Sequence, residues 1–401
     1  MPTAATHSLR HVLVIALDVP FPDDYGGAKD TWRRIQLLAR RGHVLSLVAT
    51  YKDEGRRAAF EASPASKVFE RAALVRSSWW RGLVSLSPYA VGSRMLSSTR
   101  AGEVVGRLGR TTFDVVEVEG LQAIGTFLSL RSRLRFRKAL LRPFNLESAY
   151  LFNQAASETG ALKRAVLRGD ACRFYLFERF GRWKRWIDTG LFISSDEVHH
   201  PNFAGLEHRV LMPPPAPMDG PSALPNDFAR RDDLLLYVGN LRLADNRAAA
   251  IAAYRELRGL LGRHDWRLAV CGRSDDPGIL RELREDARVT CQFNLTAAEL
   301  SALYARAKVF VCFSENRAGA KLKLWEAIQE GVPVLANENA VAGSSLAPAV
   351  LRYSSGDCAA ERALVELMTS ADRWQAFRAS AHQTWRDINE QAIDDYLRAF
   401  D

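Results

Sequence analysis

The sequence predicts an α/β protein of two doubly wound domains, each a parallel sheet covered by helices. The chain has 401 residues, about two to three times the usual length of one domain. In both halves apolar runs alternate with amphipathic stretches, the order expected of parallel strands joined by crossover helices. Between the halves, six of the 14 residues from Met212 to Pro225 are prolines. Neither a helix nor a central strand accommodates such a stretch, so it predicts a linker.

The first half opens with a strand, a glycine loop, a helix and a second strand. Residues 11–20 (HVLVIALDVP) form a continuous apolar run, and the loop that follows contains Gly26 and Gly27. Residues 29–41 are amphipathic with a helical period, and a second apolar run spans 45–51. Later apolar runs predict further strands at 68–75, 115–118, 138–142 and 190–194.

The second half repeats this alternation after the linker. Strands are predicted at 233–238, 266–271, 289–293, 308–313 and 332–336, and helices at 245–261, 276–285, 297–305 and 321–330. Residues 371–400 have apolar positions at helical spacing and predict a long C-terminal helix.

These elements define the domain organisation. We assign residues 1–212 to an N-terminal domain, 213–228 to the linker and 229–385 to a C-terminal domain. Residues 386–401 form a C-terminal helix, and whether it crosses back to the N-terminal domain is left open. Ligands of doubly wound domains bind at the carboxyl ends of the strands, so we expect the chemistry there.

Composition and charge restrict the classes of function that the chain can have. With 47% hydrophobic and 25% charged residues the chain is an ordinary globular protein, and disorder is excluded as its main feature. Residues 1–215 carry 32 basic and 20 acidic side chains, a net of +12, whereas residues 216–401 carry 23 and 26, a net of −3. A basic half indicates nucleic acid, an anionic membrane surface, an anionic substrate or a solubilising arginine-rich surface. Nucleic acid is the least favoured of these, and we expect none as a partner.

The cysteines and apolar runs predict the location. The five cysteines form no C-x-x-C pair and are expected to be buried thiols of a reducing cytosol. No run of 18 uncharged apolar residues occurs, so we expect a cytoplasmic protein with membrane contact at its surface only.

The segment 314–336 (SENRAGAKLKLWEAIQEGVPVLA) carries the clearest chemistry. A strand leads through small residues into a helix, and small residues let a phosphate approach the N–H groups at the helix start. Lys321 and Lys323 lie in the first turn, where the helix dipole alone favours acidic residues, so they indicate a bound anion. Lys323 could equally be solvated, and Glu326 either binds a sugar hydroxyl pair or pairs with Lys323 on the surface.

At this point the chain resembles a known family. GAKLKLWEAIQEGVPVLA is similar to the donor-binding signature G-x-K-x-K-x-x-E-A-x-x-x-G-x-P-V of GT-B glycosyltransferases of the family 4 type. Segments such as LLLYVGNLRLADN and WRLAVCGRSDD are similar to the family's preceding units, and PDDYGGAKDTW and LLRPFNLESAY resemble its acceptor-side Gly-Gly and H-N-x-E segments. The resemblance covers about residues 11–385 and implies two Rossmann-like domains that face each other across a cleft.

The resemblance implies a function for particular residues. It implies a nucleotide-sugar donor whose diphosphate meets Lys321 and the N–H groups of Gly319 and Ala320, and whose ribose meets Glu326. It adds further donor contacts at Gly26, Gly27, Gly239, Arg242, Gly272, Arg273, Phe293 and Lys323. On the acceptor side it implies Asn145 and Glu147. It further implies a saccharide or polyisoprenyl-diphosphate-linked acceptor, retention of anomeric configuration and no cofactor.

Departures from the family pattern also matter. Many members carry an acidic residue where Ala318 stands, and the histidine of the H-N-x-E segment is Phe144 here. Glu315 lies three positions from the missing acidic residue, and whether it substitutes is left open. No D-x-D occurs in the chain, so no metal site is expected.

The expected catalytic set is Lys321, Arg242 and Glu119. A front-face route lets the leaving diphosphate help to deprotonate the acceptor, so positioning and charge stabilisation supply most of the catalysis. Glu119, at a strand end, is a candidate for orienting or deprotonating the acceptor. The alternative is a strand-end carboxylate in a salt bridge.

Two basic segments of the first half are rich in aromatic residues. Residues 174–186 (FYLFERFGRWKRW) and Trp79–Trp80–Arg81 either pack in the core, the interpretation we favour, or lie at a lipid headgroup boundary.

The leading prediction is thus a retaining glycosyltransferase of surface polysaccharide or glycoconjugate assembly, cytoplasmic or peripheral at the cytoplasmic membrane face. The alternatives are a non-catalytic nucleotide-sugar-binding or scaffold protein on a GT-B fold, and a nucleotide-sugar 2-epimerase on the same fold.

Overall fold

The computed structural model describes residues 9–23, 25–158, 160–216, 228–276, 278–317, 321–354 and 356–400. Its contacts divide the chain into two units. The first comprises the chain up to residue 217 together with residues 391–401, and the second comprises residues 218–390. Most of the predicted linker therefore lies outside the described residues.

The first unit is built on a parallel sheet of seven strands. They are β1 (His11–Ala16), β2 (Val44–Tyr51), β3 (Arg71–Arg76), β4 (Thr112–Glu119), β5 (Arg135–Arg142), β6 (Thr189–Phe192) and β7 (His208–Leu211), in the order β3-β2-β1-β4-β5-β6-β7. Val12, Leu13, Val14 and Ile15 are fully buried, because helices cover both faces of this central strand.

Nine helices of the described part of the first unit connect these strands. They are α1 (Gly26–Arg40), α2 (Glu54–Ala62), α3 (Trp79–Val84), α4 (Tyr89–Gly92), α5 (Ser98–Leu108), α6 (Ile124–Leu130), α7 (Glu147–Ser157), α8 (Ala161–Phe180) and α9 (Ser195–Val198). The side chain of Asp53 caps α2, and α5 ends at Gly109, whose φ of 63° suits glycine.

The second unit has a parallel sheet of six strands. They are β8 (Asp232–Asn240), β9 (Arg267–Arg273), β10 (Val289–Phe293), β11 (Ala307–Cys312), β12 (Val334–Ala336) and β13 (Leu351–Arg352), in the order β10-β9-β8-β11-β12-β13. Its helices are α10 (Ala244–His264), α11 (Arg281–Arg284), α12 (Ala297–Arg306), α13 (Leu322–Gln329), α14 (Glu338–Val341), α15 (Cys358–Thr369) and α16 (Ala371–Phe400). The predicted α/β class with two parallel sheets is confirmed.

Both sheets share one strand order, in which the crossovers leave in opposite directions from two adjacent central strands. These strands are β1 and β4 in the first unit and β8 and β11 in the second. The loops at their carboxyl ends diverge, which makes this topological switch point the usual ligand site of a doubly wound sheet.

Helix α16 belongs to both units. Its residues up to 390 lie in the second unit, and the remainder lies in the first. Tyr396 and Phe400 are buried against the first unit, where Phe400 stacks on His43 with ring centroids 6.2 Å apart.

Some local predictions are wrong. The helix predicted at 276–285 is reduced to α11, because the Asp276 side chain accepts the N–H of Gly278 at 2.7 Å and Leu280 has a φ of 63°. The strand predicted at 68–75 begins at Arg71, since residues 64–68 form a 3-10 turn with a proline at its start. Cys172 and Cys358 are exposed on helices, although buried thiols were expected.

In the described part of the chain no helix is both long and apolar enough to cross a bilayer.

Candidate functional site

The switch point of the second unit lies between the loops that follow β8 and β11. Below these loops, the end of β8 approaches the neighbouring strand β9 closely. Gly239 of β8 pairs in register with Gly272 of β9, and a Cβ on Gly272 would lie 1.8 Å from the Gly239 carbonyl oxygen. Only glycine fits at this position, so the backbones of β8 and β9 meet at the base of the loops.

Helix α13 carries the predicted phosphate-binding residues. Lys321 immediately precedes the helix, with an extended backbone, and is half-buried. Glu326 is half-buried one turn further along. Gly319 and Ala320, like Ala318, lie outside the described residues.

Lys323 is directed at the two strands of the switch point. Its Nζ donates to the Tyr237 hydroxyl and to the Phe313 carbonyl, both at 3.3 Å, and lies 4.4 Å from the centroid of the Tyr237 ring. Burial lowers the pKa of Lys323, but Tyr237 and the Cys312 thiol outweigh it, and the pKa lies above its usual value. Lys323 is therefore a fixed cation between β8 and β11, and the solvated alternative does not hold.

Three further predicted residues lie on the same edge of the sheet. Arg242 is exposed and pairs with Asp275 at 2.6 Å, which joins the loop after β8 to the loop after β9. Arg273 is the exposed last residue of β9. Phe293 ends β10, and the Arg284 guanidinium lies 5.1 Å from its ring centroid. Gly239, Arg242, Gly272, Arg273, Phe293, Lys321, Lys323 and Glu326 thus all lie at or beside the carboxyl ends of one sheet.

The switch point of the first unit contains a buried ion-pair network. Arg34 of α1 donates to Asp30 at 2.8 Å and to Glu119, and its Nε lies 3.4 Å from Glu117. Arg142 of β5 holds both oxygens of Asp30, at 2.9 and 3.0 Å. All five side chains are buried.

Two hydroxyl groups complete this network. Thr31 donates to Glu119 at 2.9 Å, and the Tyr396 hydroxyl donates to Glu117 at 2.7 Å. The network therefore ties α1 and the last turns of α16 to β4 and β5. Sequence reasoning missed Asp30, Arg34, Arg142 and Tyr396, although the i, i+4 spacing of Asp30 and Arg34 is a signal for their pairing.

The network changes the protonation of Glu119. Burial raises the pKa of Glu119 to about 8, with Glu117 and Asp30 adding to the effect and Arg34 opposing it. For Asp30, burial raises the pKa, but Arg142 and Arg34 outweigh burial and hold it below its usual value. At pH 7, with Glu119 protonated, the guanidiniums of Arg34 and Arg142 face the carboxyl groups of Asp30 and Glu117. Glu119 thus lies where the strand-end carboxylate named as its alternative would lie, but as a neutral acid that accepts hydrogen bonds from Arg34 and Thr31.

Asn145 and Glu147 lie after β5 and at the start of α7. Glu147 is buried, and burial raises its pKa to about 7 while hydrogen bonds from Gln122 and Asn145 lower it. Two more buried carboxyl groups, those of Glu178 and Glu197, lie nearby and also have raised pKa values because of burial.

Gly26 and Gly27 are the first two residues of α1. A Cβ on Gly27 would lie 3.2 Å from the Phe144 ring. A small cavity here is lined by residues that include Gly27, Thr31, Glu119 and Phe144. The structure brings Gly27 and Glu119 together, and contact of this glycine loop with a donor stays a prediction.

Among the described residues, no group of three or more His, Cys, Asp or Glu side chains is arranged to hold a metal ion. His199 is exposed at the end of α9.

Comparison with known proteins agrees with this geometry. Residues 232–356 match the family model described as glycosyl transferases group 1. A protein of Klebsiella pneumoniae, described as an uncharacterized 44.6 kDa protein in the cps region, is 26% identical over 347 residues, covering 80% of this chain and 81% of its own.

Solved structures share the fold at low sequence identity. A glycosyltransferase from Rickettsia africae aligns with a TM-score of 0.65 at 10% identity, covering 98% of both chains. Sucrose-phosphate synthase from Thermosynechococcus elongatus aligns with a TM-score of 0.63 at 18% identity, covering 97% of this chain and 98% of its own. HepE from Anabaena, solved in complex with UDP, aligns at 0.59 and 12% identity, covering 97% of this chain and all of its own.

The two sheets and these structures establish a GT-B fold. Residues 232–356 of the second unit match a group 1 glycosyltransferase domain, which supports a glycosyltransferase. The resemblance drawn from the sequence is confirmed.

The raised pKa of Glu119 predicts a dependence of stability on pH. The folded state keeps the proton of Glu119 up to about pH 8, whereas the unfolded chain releases it near the ordinary value of 4.5. The free energy of unfolding therefore falls as pH rises through this window, by up to about 1.4 kcal/mol per pH unit for this group. Glu119→Gln keeps the hydrogen bonds without the charge, so its stability should fall less between pH 6 and pH 8.

Urea-unfolding midpoints at both pH values measure this difference, with exposed Glu70→Gln as the control. Glu147 and Glu197 remain in every variant and cancel from the comparison. Equal pH dependence of wild type and Glu119→Gln would contradict the buried, protonated state.

Proposed function

We propose that the protein is a retaining glycosyltransferase that binds a nucleotide-sugar donor at the switch point of its second unit. One observation carries the proposal: within the matched glycosyltransferase domain, α13 starts beside the diverging loops of β8 and β11, with Lys321 at its start and Lys323 fixed below them. A helix start with adjacent cations is a site for a diphosphate.

The other residues of this edge suit the rest of the donor. The Gly239–Gly272 contact keeps side chains away from the backbone, so phosphate oxygens can approach N–H groups closely. Phe293 offers an aromatic face beside a nucleobase, and Glu326 a carboxylate for ribose hydroxyls. The UDP complex of the similar Anabaena protein supports a nucleoside diphosphate as the ligand class.

The proposed chemistry is front-face transfer without a metal or cofactor. The bond between the anomeric carbon and the diphosphate oxygen breaks, the acceptor oxygen bonds to the same face, and the acceptor proton passes to the departing diphosphate. Lys321 and Arg242 stabilise the charge that develops on the diphosphate. Because Glu119 is buried and bound to Arg34, we propose that it holds the Gly26–Gly27 end of α1 in place rather than acting as a base.

The acceptor is proposed to be a saccharide or a lipid-linked saccharide in surface polysaccharide synthesis at the cytoplasmic membrane face. The similarity to a protein of a cps region supports this pathway. Asn145 and Glu147, held together by a hydrogen bond, are the proposed acceptor contacts.

Lys321→Ala tests the donor site. We expect it to reduce transfer at least 100-fold, because a phosphate-binding cation is lost where charge develops, and to leave the unfolding temperature unchanged. The assay is a transfer and hydrolysis screen over UDP-, GDP-, dTDP- and ADP-sugars, with the anomeric configuration of the product read by NMR.

Exposed Arg362→Ala, in the same unit, is the matched control and should behave as wild type. An unchanged donor KM with retained activity in Lys321→Ala would refute the phosphate role. Absence of nucleoside diphosphate binding by wild type and by Glu326→Ala alike would refute the proposed enzyme, and an inverted product would refute retention.

Membrane contact is proposed through an apolar–basic surface of the first unit. We define this surface by the exposed apolar residues of α3, the turn after it and α8: Trp79, Trp80, Leu83, Val84, Leu86, Leu162, Val166, Tyr175, Leu176 and Phe180. Trp79 is 67% exposed, Leu86 is fully exposed and Leu162 is 81% exposed. The core position favoured for Trp79 and Trp80 is therefore wrong, whereas Trp183 is buried as expected.

The geometry of α8 supports one continuous face. Leu162, Val166, Leu176 and Phe180 repeat at helical spacing on the side opposite the buried Ala171. Asp170 accepts the backbone N–H of Tyr89 at 2.8 Å, which holds the segment after α3 against α8. The exposed basic residues of α8 are Lys163, Arg168, Arg173 and Arg179, and each attracts an anionic lipid surface by about 1 kcal/mol.

Vesicle sedimentation tests the surface. The full chain should bind vesicles of 30% phosphatidylglycerol in phosphatidylcholine more tightly than pure phosphatidylcholine, and less tightly as salt rises. A variant with Leu162, Val166, Leu176 and Phe180 changed to serine should bind at least tenfold more weakly, because it loses the apolar insertion.

Gln383→Ser, at an exposed position of α16, is the control and should bind as wild type does. Equal binding to both vesicle types would contradict the proposal. So would a dimer in analytical ultracentrifugation that the serine variant abolishes, because a second copy would then cover the surface.

A further inference from the structure

Two asparagines of the second unit hold backbone loops by the same pair of hydrogen bonds. Asn294 directly follows β10. Its Nδ2 donates to the Ser274 carbonyl at 2.7 Å, and its Oδ1 accepts the Ser274 N–H at 3.2 Å. Ser274 directly follows β9, the neighbouring strand, so the amide of one strand end grips the backbone of the next loop.

Asn337 makes the equivalent pair of hydrogen bonds on the opposite flank of β8. It directly follows β12, donates from Nδ2 to the Ser314 carbonyl at 3.0 Å and accepts the Ser314 N–H at 3.0 Å. Ser314 lies two residues after the end of β11. The same amide also accepts the N–H of Ala340 and caps α14.

The gripped loops share one local structure. The Ser274 hydroxyl accepts the Asp276 N–H at 3.1 Å and donates to the Asp276 carbonyl at 2.9 Å. The Ser314 hydroxyl makes the same two contacts with Asn316, at 3.3 and 2.8 Å. Each serine side chain thus stabilises a tight turn at the start of its loop. Each asparagine hydrogen-bonds that turn to the end of the next strand outward in the sheet.

The placement of the two contacts follows the strand order. β8 is flanked by β9 and β11, and these are flanked in turn by β10 and β12. Asn294 therefore draws the loop after β9 outward on one side, and Asn337 draws the loop after β11 outward on the other. Both act away from the switch point between β8 and β11, where divergence of the loops makes room for a ligand.

We propose that Asn294 and Asn337 are positioning residues that hold the donor site open by fixing the loops that begin at Ser274 and Ser314. The inference rests on the proposed donor site. Each amide satisfies both the backbone N–H and the carbonyl of one serine, so the loops are ordered before the donor binds. Neither asparagine touches the reacting atoms in this account.

The test uses substitutions that keep each local backbone role. Asn337→Ser retains an N-cap residue for α14 but is too short to reach both groups of Ser314. Asn294→Gly tolerates the φ of 56° found at Asn294 but has no side-chain amide. Gln383→Ala, which loses the amide contact with Asp387 at 2.7 Å on exposed α16, is the matched control.

The first measurement is the Kd of the nucleoside diphosphate that wild type binds most tightly among UDP, GDP, dTDP and ADP. We expect Asn337→Ser and Asn294→Gly each to raise it about tenfold and to lower kcat/KM by about 10- to 100-fold, as small misplacements of a site do. The acceptor KM and the unfolding temperature should stay close to those of Gln383→Ala. The second measurement is amide hydrogen exchange, which should rise at least tenfold in residues 274–276 of Asn294→Gly and 314–317 of Asn337→Ser.

The outcomes separate the two proposals. Absence of diphosphate binding by wild type would overturn the proposed function and the positioning role together. Wild-type Kd and kcat/KM in both asparagine variants would overturn the positioning role alone. Faster exchange with a lowered acceptor affinity and an unchanged diphosphate Kd would also overturn it, because the loops would then serve another ligand.

Discussion

The divergence of the loops after β8 and β11 is the constraint on which the rest of the second unit depends. With right-handed crossovers, the loops of two adjacent parallel strands separate where the order of strand addition changes direction. In this sheet those two strands are β8 and β11. Everything assigned to donor binding is arranged around it. Gly239 and Gly272 let the backbones of β8 and β9 meet below the loops, and α13 begins beside these loops. Lys323 lies between β8 and β11, where it donates to the Tyr237 hydroxyl and the Phe313 carbonyl. A site of this kind needs few charges, which agrees with a net charge of −3 for residues 216–401.

The first unit, in contrast, has several buried charged side chains at its switch point. Its equivalent switch point is closed by Arg34, Arg142 and the carboxyl groups of Asp30, Glu117 and Glu119, all buried. A buried ion pair is costly to desolvate, and this one is tolerated because each guanidinium meets two or more oxygens and Glu119 keeps its proton. The same network reaches Tyr396, so the end of α16 is held by the groups that order α1. The +12 of residues 1–215 is therefore carried elsewhere, and part of it surrounds the apolar–basic surface of α8.

The parts of this structure that depend on period and local motif could be predicted from the sequence, and those that depend on distant partners could not. Helix α16 and the strands around the switch points follow from apolar spacing, and the signature that contains Lys321 and Glu326 indicates the donor domain. In contrast, Asp30 and Arg34 have the spacing of a solvated surface pair, and only the arrival of Arg142 and β4 shows that they are buried. Asn294 and Asn337 grip serines 20 and 23 residues away, a pairing that no local pattern reveals. Trp79 and Trp80 were expected in the core because tryptophan is usually buried, but the short α3 leaves them exposed.

The central claim is that a nucleoside diphosphate binds at the start of α13. A crystal structure of the protein with the best-binding nucleoside diphosphate tests it most directly. We expect phosphate oxygens within about 3 Å of the Lys321 Nζ and of N–H groups in the first turn of α13. The base should lie beside Phe293 and the ribose hydroxyls at Glu326. A diphosphate bound at the first unit's switch point, or bound in the second unit without contact to α13, would contradict it.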